Sequence, residues 1–182
     1  IYIFNYKELR KYLIADAADE NSKHDFGMNI IPSMLADKKK LYAWTFDGYW
    51  KDVGTVESLW QANMDLLDDK ELDLYNIKKD WKIYSEDTLG KPQLIGAQAS
   101  VKNSLVTQGC VVNGEVEGSV LFSNVNVGEG AKVIDSVLMP GVLVEEGAVV
   151  KKAIIDEGVV IKAGTVVNEE AEEVALVSGN SR

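Results

Sequence analysis

The sequence predicts an α/β region followed by an all-β solenoid, and three observations carry that prediction. A stretch from Cys110 to Val167 repeats itself at a fixed interval. Its repeats are short, rich in Val and punctuated by Gly, and the residues before it alternate β-rich apolar runs with capped helical stretches. Setting Val127-Gly128-Glu129-Gly130-Ala131 above Val144-Glu145-Glu146-Gly147-Ala148 and Ile161-Lys162-Ala163-Gly164-Thr165 gives two intervals of 17 residues. Val116, Val133 and Val150 then fall in line, as do Ser119, Ser136 and Ala153, Val120, Val137 and Ile154, and Val125, Val142 and Val159. The earlier copy Asn103-Ser104-Leu105-Val106 precedes Gly118-Ser119-Val120-Leu121 by 15 residues, so one coil is shorter.

Within a coil the aliphatics recur about every six residues, as at Val127 and Val133, with Gly, Ala or Ser between them. Each such hexad makes one flat side. Three sides close a prism of about 18 residues per turn, in which the strands of successive turns pair in parallel and like residues stack on like. Gly128, Gly130, Gly141, Gly147, Gly158 and Gly164 fall where corners need unusual backbone angles or close approach. An antiparallel sandwich fits less well, because Asn113-Gly114 is the one hairpin-type dipeptide in the segment.

Composition narrows the function. A net charge of -10, with neither half basic, argues against nucleic acid or an anionic membrane surface as partner. A phosphate-bearing substrate would need a metal ion or a few local cations to hold it against that field. No apolar run approaches the roughly 20 residues that span a bilayer, so a cytoplasmic protein is expected. The single cysteine, Cys110, occupies the repeat position of Val127 and Val144 and reads as core filler.

Along the first part of the chain, Ile1-Tyr2-Ile3-Phe4 is β-rich and opens without a starting Met or a turn, as in a fragment of a longer protein. Asn5 and Glu8 have capping-box spacing for a helix running to about Ala17, with Leu9, Leu13 and Ile14 as its buried stripe. Asp25 can cap a second short helix carrying Ile30, Ile31, Met34 and Leu35, with Pro32 in its first turns. His24, the only histidine, reads as a hydrogen-bonded structural group rather than a ligand or base. Lys38 to Lys40 make a solvated turn, and Leu41 to Phe46 a strand. Thr55 caps a helix with Val56, Leu59, Trp60, Met64 and Leu67 at helical spacing. Asp68 to Pro92 is a charged connector in which Trp81 to Tyr84 forms a short edge strand, and the solenoid begins near Leu94. Asn168 to Glu173, with its four glutamates, caps the last coil, and Val174 to Val177 adds a final strand.

Tyr49-Trp50-Lys51-Asp52-Val53-Gly54-Thr55 is the one stretch with the look of a site. Its carboxylate stands between an aromatic pair and a Val-Gly turn, and Gly54 allows a ligand close to the backbone. Residue types alone leave two readings: Asp52 as a ligand-binding carboxylate, or Asp52 satisfying local N–H groups in a strand-to-helix turn.

Ile1-Tyr2-Ile3-Phe4-Asn5, then His24-Asp25-Phe26-Gly27 with Ile30-Ile31-Pro32, then Tyr49 to Thr55 followed by Trp60, Asn63 and Leu66-Leu67, resemble the second half of the bacterial glucose-1-phosphate adenylyltransferases, the ADP-glucose pyrophosphorylases of glycogen synthesis. The coils resemble the hexapeptide-repeat family, whose fold is a left-handed parallel β-helix, the opposite hand to the usual parallel crossover. The resemblance implies a C-terminal remnant of a nucleotidyltransferase α/β domain over residues 1–75, a connector over 76–92 and the β-helix over 93–182. It implies that Asp52 acts catalytically as a Mg²⁺-binding carboxylate, with Tyr49, Trp50 and Asp52 binding substrate. ATP and glucose 1-phosphate are the implied substrates. An allosteric metabolite and assembly of a homotetramer through the coils are implied as well. The family often has Arg where Lys51 stands. Its Gly-rich nucleotide loop, first metal-binding Asp and Glu-Lys pair have no counterpart in this sequence, so the chain alone is expected to be inactive.

Two other classes compete. A hexapeptide-repeat acyltransferase would need a histidine at the coils, and His24 lies some 70 residues before them. A non-catalytic regulatory subunit or assembly module of the same family would keep the fold while its site drifted, and that alternative stays open.

Overall fold

The computed structural model describes residues 1–68 and 90–179, and the chain divides into two compact units, Ile1–Gly48 and Tyr49–Arg182. Trp81 to Tyr84, together with most of the connector, lies outside the described residues.

In the first unit, α1 (Tyr6–Ala17) starts where the Asn5 side chain accepts hydrogen bonds from the Lys7 and Glu8 amides, at 3.1 and 3.4 Å. The second arm of the expected capping box is not made. The Glu8 carboxylate instead accepts from Lys11 and Lys39, and those two ammonium groups hold it below the usual carboxylate range. The expected buried stripe is also incomplete: Leu9 is half-buried, but Leu13 and Ile14 are exposed, because nothing among the described residues covers that face. Asp25 accepts from the Met28 amide at 2.7 Å and caps one π turn (Phe26–Ile30) that runs into α2 (Ile31–Ala36). Pro32 costs nothing in this first α turn, where its missing N–H would lack a partner anyway. Ile30 and Met34 are buried as expected, while Leu35 is exposed. The rings of Tyr2 and Phe4 stack on Phe26 at 5.7 Å. Ile1 to Phe4 and Leu41 to Phe46 are not strands here. A strand exists through its ladder, and neither run finds a partner among the described residues.

The second unit holds α3 (Val56–Met64), a 3₁₀ turn (Asp65–Leu67) and a parallel β-helix of the left-handed hexapeptide-repeat class with about four turns. Three five-stranded sheets form its sides. The first stacks Leu94–Ile95, Val111–Val112, Asn126–Val127, Leu143–Val144 and Val160–Ile161. The second runs from Ser100–Lys102 to Val166–Val167, with Val116, Val133 and Val150 in register. The third runs from Leu105–Val106 to Ala175–Val177, with Val120, Val137 and Ile154 in register. The sequence offsets thus translate directly into stacking. The offset of 15 between Leu105 and Val120 marks the short coil. The final strand forms as expected, but Ile154 pairs with Leu176, so the last coil carries extra residues around Asn168 to Glu173. That loop is tied down, since the Asn168 side chain donates to the Lys152 and Glu173 carbonyls at 3.0 and 2.8 Å.

The prism interior is lined by aliphatic side chains. Leu121, Leu138 and Ile155 fill one side of it, Val116, Val133 and Val150 another. Cys110 is buried in the same core, donates to the Phe122 carbonyl at 3.0 Å, and has its thiol pushed up by burial, as core filler should. The aligned serines form a ladder. Ser104 Oγ accepts from the Ser119 amide, Ser119 Oγ from the Ser136 amide, and Ser136 Oγ from the Ala153 amide, at 3.0 to 3.1 Å. Each hydroxyl also donates to the carbonyl two residues before it, so burying Ser119 and Ser136 leaves no polar atom unpaired. Gly147 has φ +67 at its corner, whereas Gly128 is needed for closeness: a Cβ there would lie 2.9 Å from the Glu146 nitrogen.

The three middle strands of the third sheet are covered on both faces. Leu121, Leu138 and Ile155 point into the prism, so their strand neighbours Val120, Val137 and Ile154 point out, yet these are buried too. α3 lies against the strand Ala153–Ile155 and supplies part of that cover.

Candidate functional site

The stretch from Tyr49 to Thr55 leads directly into α3. Thr55 caps the helix in a reciprocal box: its hydroxyl accepts from the Ser58 amide at 3.1 Å, and the Ser58 hydroxyl accepts from the Thr55 amide at 2.9 Å. Local capping therefore falls to Thr55 and Ser58. Asp52 is exposed and makes no hydrogen bond to another described residue.

The loop side chains alternate. Tyr49 Oη donates to Asp65 Oδ2 at 2.7 Å, and Lys51 Nζ pairs with the same oxygen. Trp50 and Asp52, at the alternate positions, are exposed. Asp65 sits just past the end of α3 and also accepts from Gln61 Nε2, one helical turn earlier, at 2.9 Å through Oδ1. Burial of its carboxyl would raise its pKa, but the donors Gln61, Lys51 and Tyr49 outweigh burial and hold it below the usual carboxylate range. Lys51 is thus an ion-pair partner of Asp65. Of the residues expected to bind substrate, Trp50 and Asp52 are exposed, and Tyr49 turns its hydroxyl to Asp65.

The far side of α3 meets the coils. Trp60 Nε1 donates to the Asp135 carbonyl at 2.7 Å, and Lys152 Nζ lies 5.7 Å from the centre of the Trp60 ring. Asp135 and Lys152 hold left-handed backbone angles, φ +47 and +41, at stacked corners of the coils. Asn63, buried one turn on, donates to the Leu59 carbonyl at 2.9 Å. Trp60, Met64, Leu67, Asp68, Asn103 and Asp135 line an open groove of about 480 Å³. Sequence reasoning missed Asp65 and the contact of Trp60 with Asp135. The spacing of Gln61 and Asp65 could have pointed to the first, whereas the second joins residues 75 apart with no local signal.

Among the described residues no group of three His, Cys, Asp or Glu side chains gathers as a metal site. Asp52 offers a hard anionic oxygen of the kind a Mg²⁺ ion takes, and no other described residue bonds to it. In the first unit His24 Nδ1 lies 2.8 Å from Asp16 Oδ2, and the Asp16 carboxyl, which also accepts from the Ser22 hydroxyl, is held below the usual carboxylate range by Ser22 and then His24. His24 is a hydrogen-bonded group, as expected. No helix of the described residues is long and apolar enough to cross a membrane.

Residues 1–69 match the family described as nucleotidyl transferase, and residues 93–176 the family described as GlmU-like, C-terminal hexapeptide. The glucose-1-phosphate adenylyltransferase of Clostridium beijerinckii is 57% identical over 136 residues, covering 74% of this chain and 35% of the relative. That of Clostridium novyi is 59% identical over 129 residues, covering 70% of this chain and 33% of the relative. That of Fusobacterium nucleatum is 50% identical over 136 residues, covering 74% and 35%. The chain spans about a third of the length of these relatives. With a nucleotidyl transferase match leading into hexapeptide coils, and relatives at least half identical to it, the chain belongs to the glucose-1-phosphate adenylyltransferase family of nucleotidyltransferases.

Proposed function

We propose that this chain is part of an enzyme that makes ADP-glucose and pyrophosphate from ATP and glucose 1-phosphate for glycogen synthesis in the cytoplasm. The observation that carries the reading is Asp52: an exposed carboxylate with no hydrogen-bond partner among the described residues, next in sequence to Lys51, which together with Tyr49 is tied to Asp65. In this reaction an oxygen of glucose 1-phosphate attacks the α-phosphorus of ATP, and the protein's task is to position the reactants and offset their charge. A chain with net charge -10 repels such substrates as a whole, so charge has to be neutralised locally. Mg²⁺ would supply that neutralisation. Asp52 would hold the ion, and Trp50, with the ring of Tyr49, borders the sugar. Residues 1–75 act as part of the nucleotidyltransferase domain, 76–92 as a connector and 93–182 as the β-helix. The flat sides of the coils serve assembly into a homotetramer and transmit the binding of an allosteric metabolite.

The test is Asp52→Asn in the full-length enzyme. The amide keeps an oxygen but loses the charge that Mg²⁺ requires. Turnover is expected to fall about 10²- to 10³-fold with the fold intact, and the Mg²⁺ requirement to rise. Near-normal turnover with an unchanged Mg²⁺ requirement would reject Asp52 as the metal ligand. An inactive wild-type protein that still assembles would favour the non-catalytic assembly module. Light scattering that finds only monomer at micromolar concentration would remove the assembly role of the coils.

A further inference from the structure

The site loop and the coils are joined by one short helix that makes a specific hydrogen-bonded contact with each. At its end, Asp65 collects Tyr49 and Lys51 from the loop and Gln61 from the helix itself. On its flank, Trp60 donates its indole N–H to the carbonyl of Asp135, at a corner where the backbone is already constrained to a left-handed angle. The Asp65 side chain is only 11% exposed, so the bonds it receives are largely shielded from competing water. Trp50 and Asp52 directly follow Tyr49 and Lys51 in the chain, so holding those two side chains also restrains the direction in which their neighbours point. Thr55 and Ser58 cap the start of the helix, between the loop and Trp60.

We infer that Asp65 is a positioning residue that aims Trp50 and Asp52, and that Trp60 moors the same helix to the coil, so that the β-helix sets the geometry of the site loop. The inference deepens the function proposed above, on which its activity arm rests. Its structural arm stands alone. A carboxylate is required because it accepts from a phenol, an ammonium and an amide at once, whereas the amide of Asp65→Asn has a single acceptor oxygen and no charge for Lys51. Trp60 is required for its N–H, which Phe lacks.

The experiment labels the full-length protein with 5-fluorotryptophan, assigns the ¹⁹F resonances by single Trp→Phe variants, and compares Asp65→Asn, Tyr49→Phe, Lys51→Gln and Trp60→Phe with wild type. Asp65→Asn is expected to shift or split the Trp50 resonance while leaving that of Trp60 in place. Tyr49→Phe and Lys51→Gln should each reproduce part of that change, which keeps the test decisive if Asp65→Asn does not fold. Trp60→Phe is expected to move the Trp50 resonance as well. In the assay, Asp65→Asn should lower kcat about tenfold with KM for ATP within about twofold, because aim matters most at the reacting centre. An unmoved Trp50 resonance in Asp65→Asn, Tyr49→Phe and Lys51→Gln overturns the positioning role. An unmoved one in Trp60→Phe alone overturns the role of the coil. Absence of ADP-glucose formation by wild type would reject the proposed reaction, and the resonances would still decide this inference.

Discussion

The coils and the first unit are built from equally apolar segments and meet opposite fates. Val116, Val133 and Val150 have no exposed surface, whereas Ile3 is 95% exposed and Trp44 87%. The cause is where each segment's cover comes from. An inner coil is covered by the next coil, which carries a like residue at the same place, so one translation along the axis covers its inward aliphatics and pairs its ladder amides. Ile1 to Phe4 and Leu41 to Phe46 have strand composition, yet no repeat brings them a neighbour. Patterning states that a face wants burial, and only a partner can supply it.

The largest effect expected from this contrast lies in the coils. Leu138→Ala, at a wholly buried position, should cost about 2–5 kcal/mol, while Leu13→Ala on the open face of α1 should cost less than about 1 kcal/mol. Urea unfolding of the full-length protein measures both. Equal losses would mean that the α1 face is covered there, and would break the comparison. Next comes the serine ladder. Ser136→Ala strips the buried Ala153 amide of its acceptor and should cost about 1–2 kcal/mol, visible as a lowered Tm. Corner geometry follows: Gly147→Ala, at φ +67 with open space around it, should cost about 1 kcal/mol from backbone angle alone. Gly54→Ala, which has neither a positive φ nor a near neighbour, should stay within about 0.5 kcal/mol.

Smaller still is the pH response of the coil surface. Glu145 is held below its usual value of 4.5 by the Ala163 amide and then by Lys162, with burial opposing them. A lowered carboxyl stabilises the fold above its unfolded pKa and stops doing so as pH falls through the lowered folded value. Wild type should therefore lose slightly more stability than Glu145→Gln as pH drops below about 4.5, seen as converging urea midpoints. A gap that widens toward acid would reverse the sign and refute the assignment. The smallest effect is Glu57→Gln, on the exposed face of α3, with turnover changed by less than about twofold because an exposed charge couples weakly to the site.

The site was legible to different depths. Asp52 and Trp50 stand out in sequence because an acid between an aromatic pair and a Val-Gly turn is unusual packing material. Thr55 was readable as a cap because capping is settled within one helical turn. The second arm of the box at Asn5 was misread, since Glu8 had a choice between the Asn5 amide and two lysines, one of them 31 residues away. Asp65 passed unnoticed as one more acid in a polar stretch. Its meaning depends on the chain turning back so that Tyr49 and Lys51 reach it.

Sequence by itself determined the coils, down to register and the short turn, because a repeat encodes its long-range contacts as identical local ones. It likewise determined where the helices start, at Asn5, Asp25 and Thr55, where the deciding hydrogen bonds span a few residues. Only the tertiary structure decided that α3 is moored by Trp60 to Asp135, that the outer face of the third sheet's middle strands is buried, and that Lys51 pairs with Asp65. Those outcomes join residues with no shared period, and each is chosen by which donor, acceptor or apolar face comes within reach once the backbone has folded.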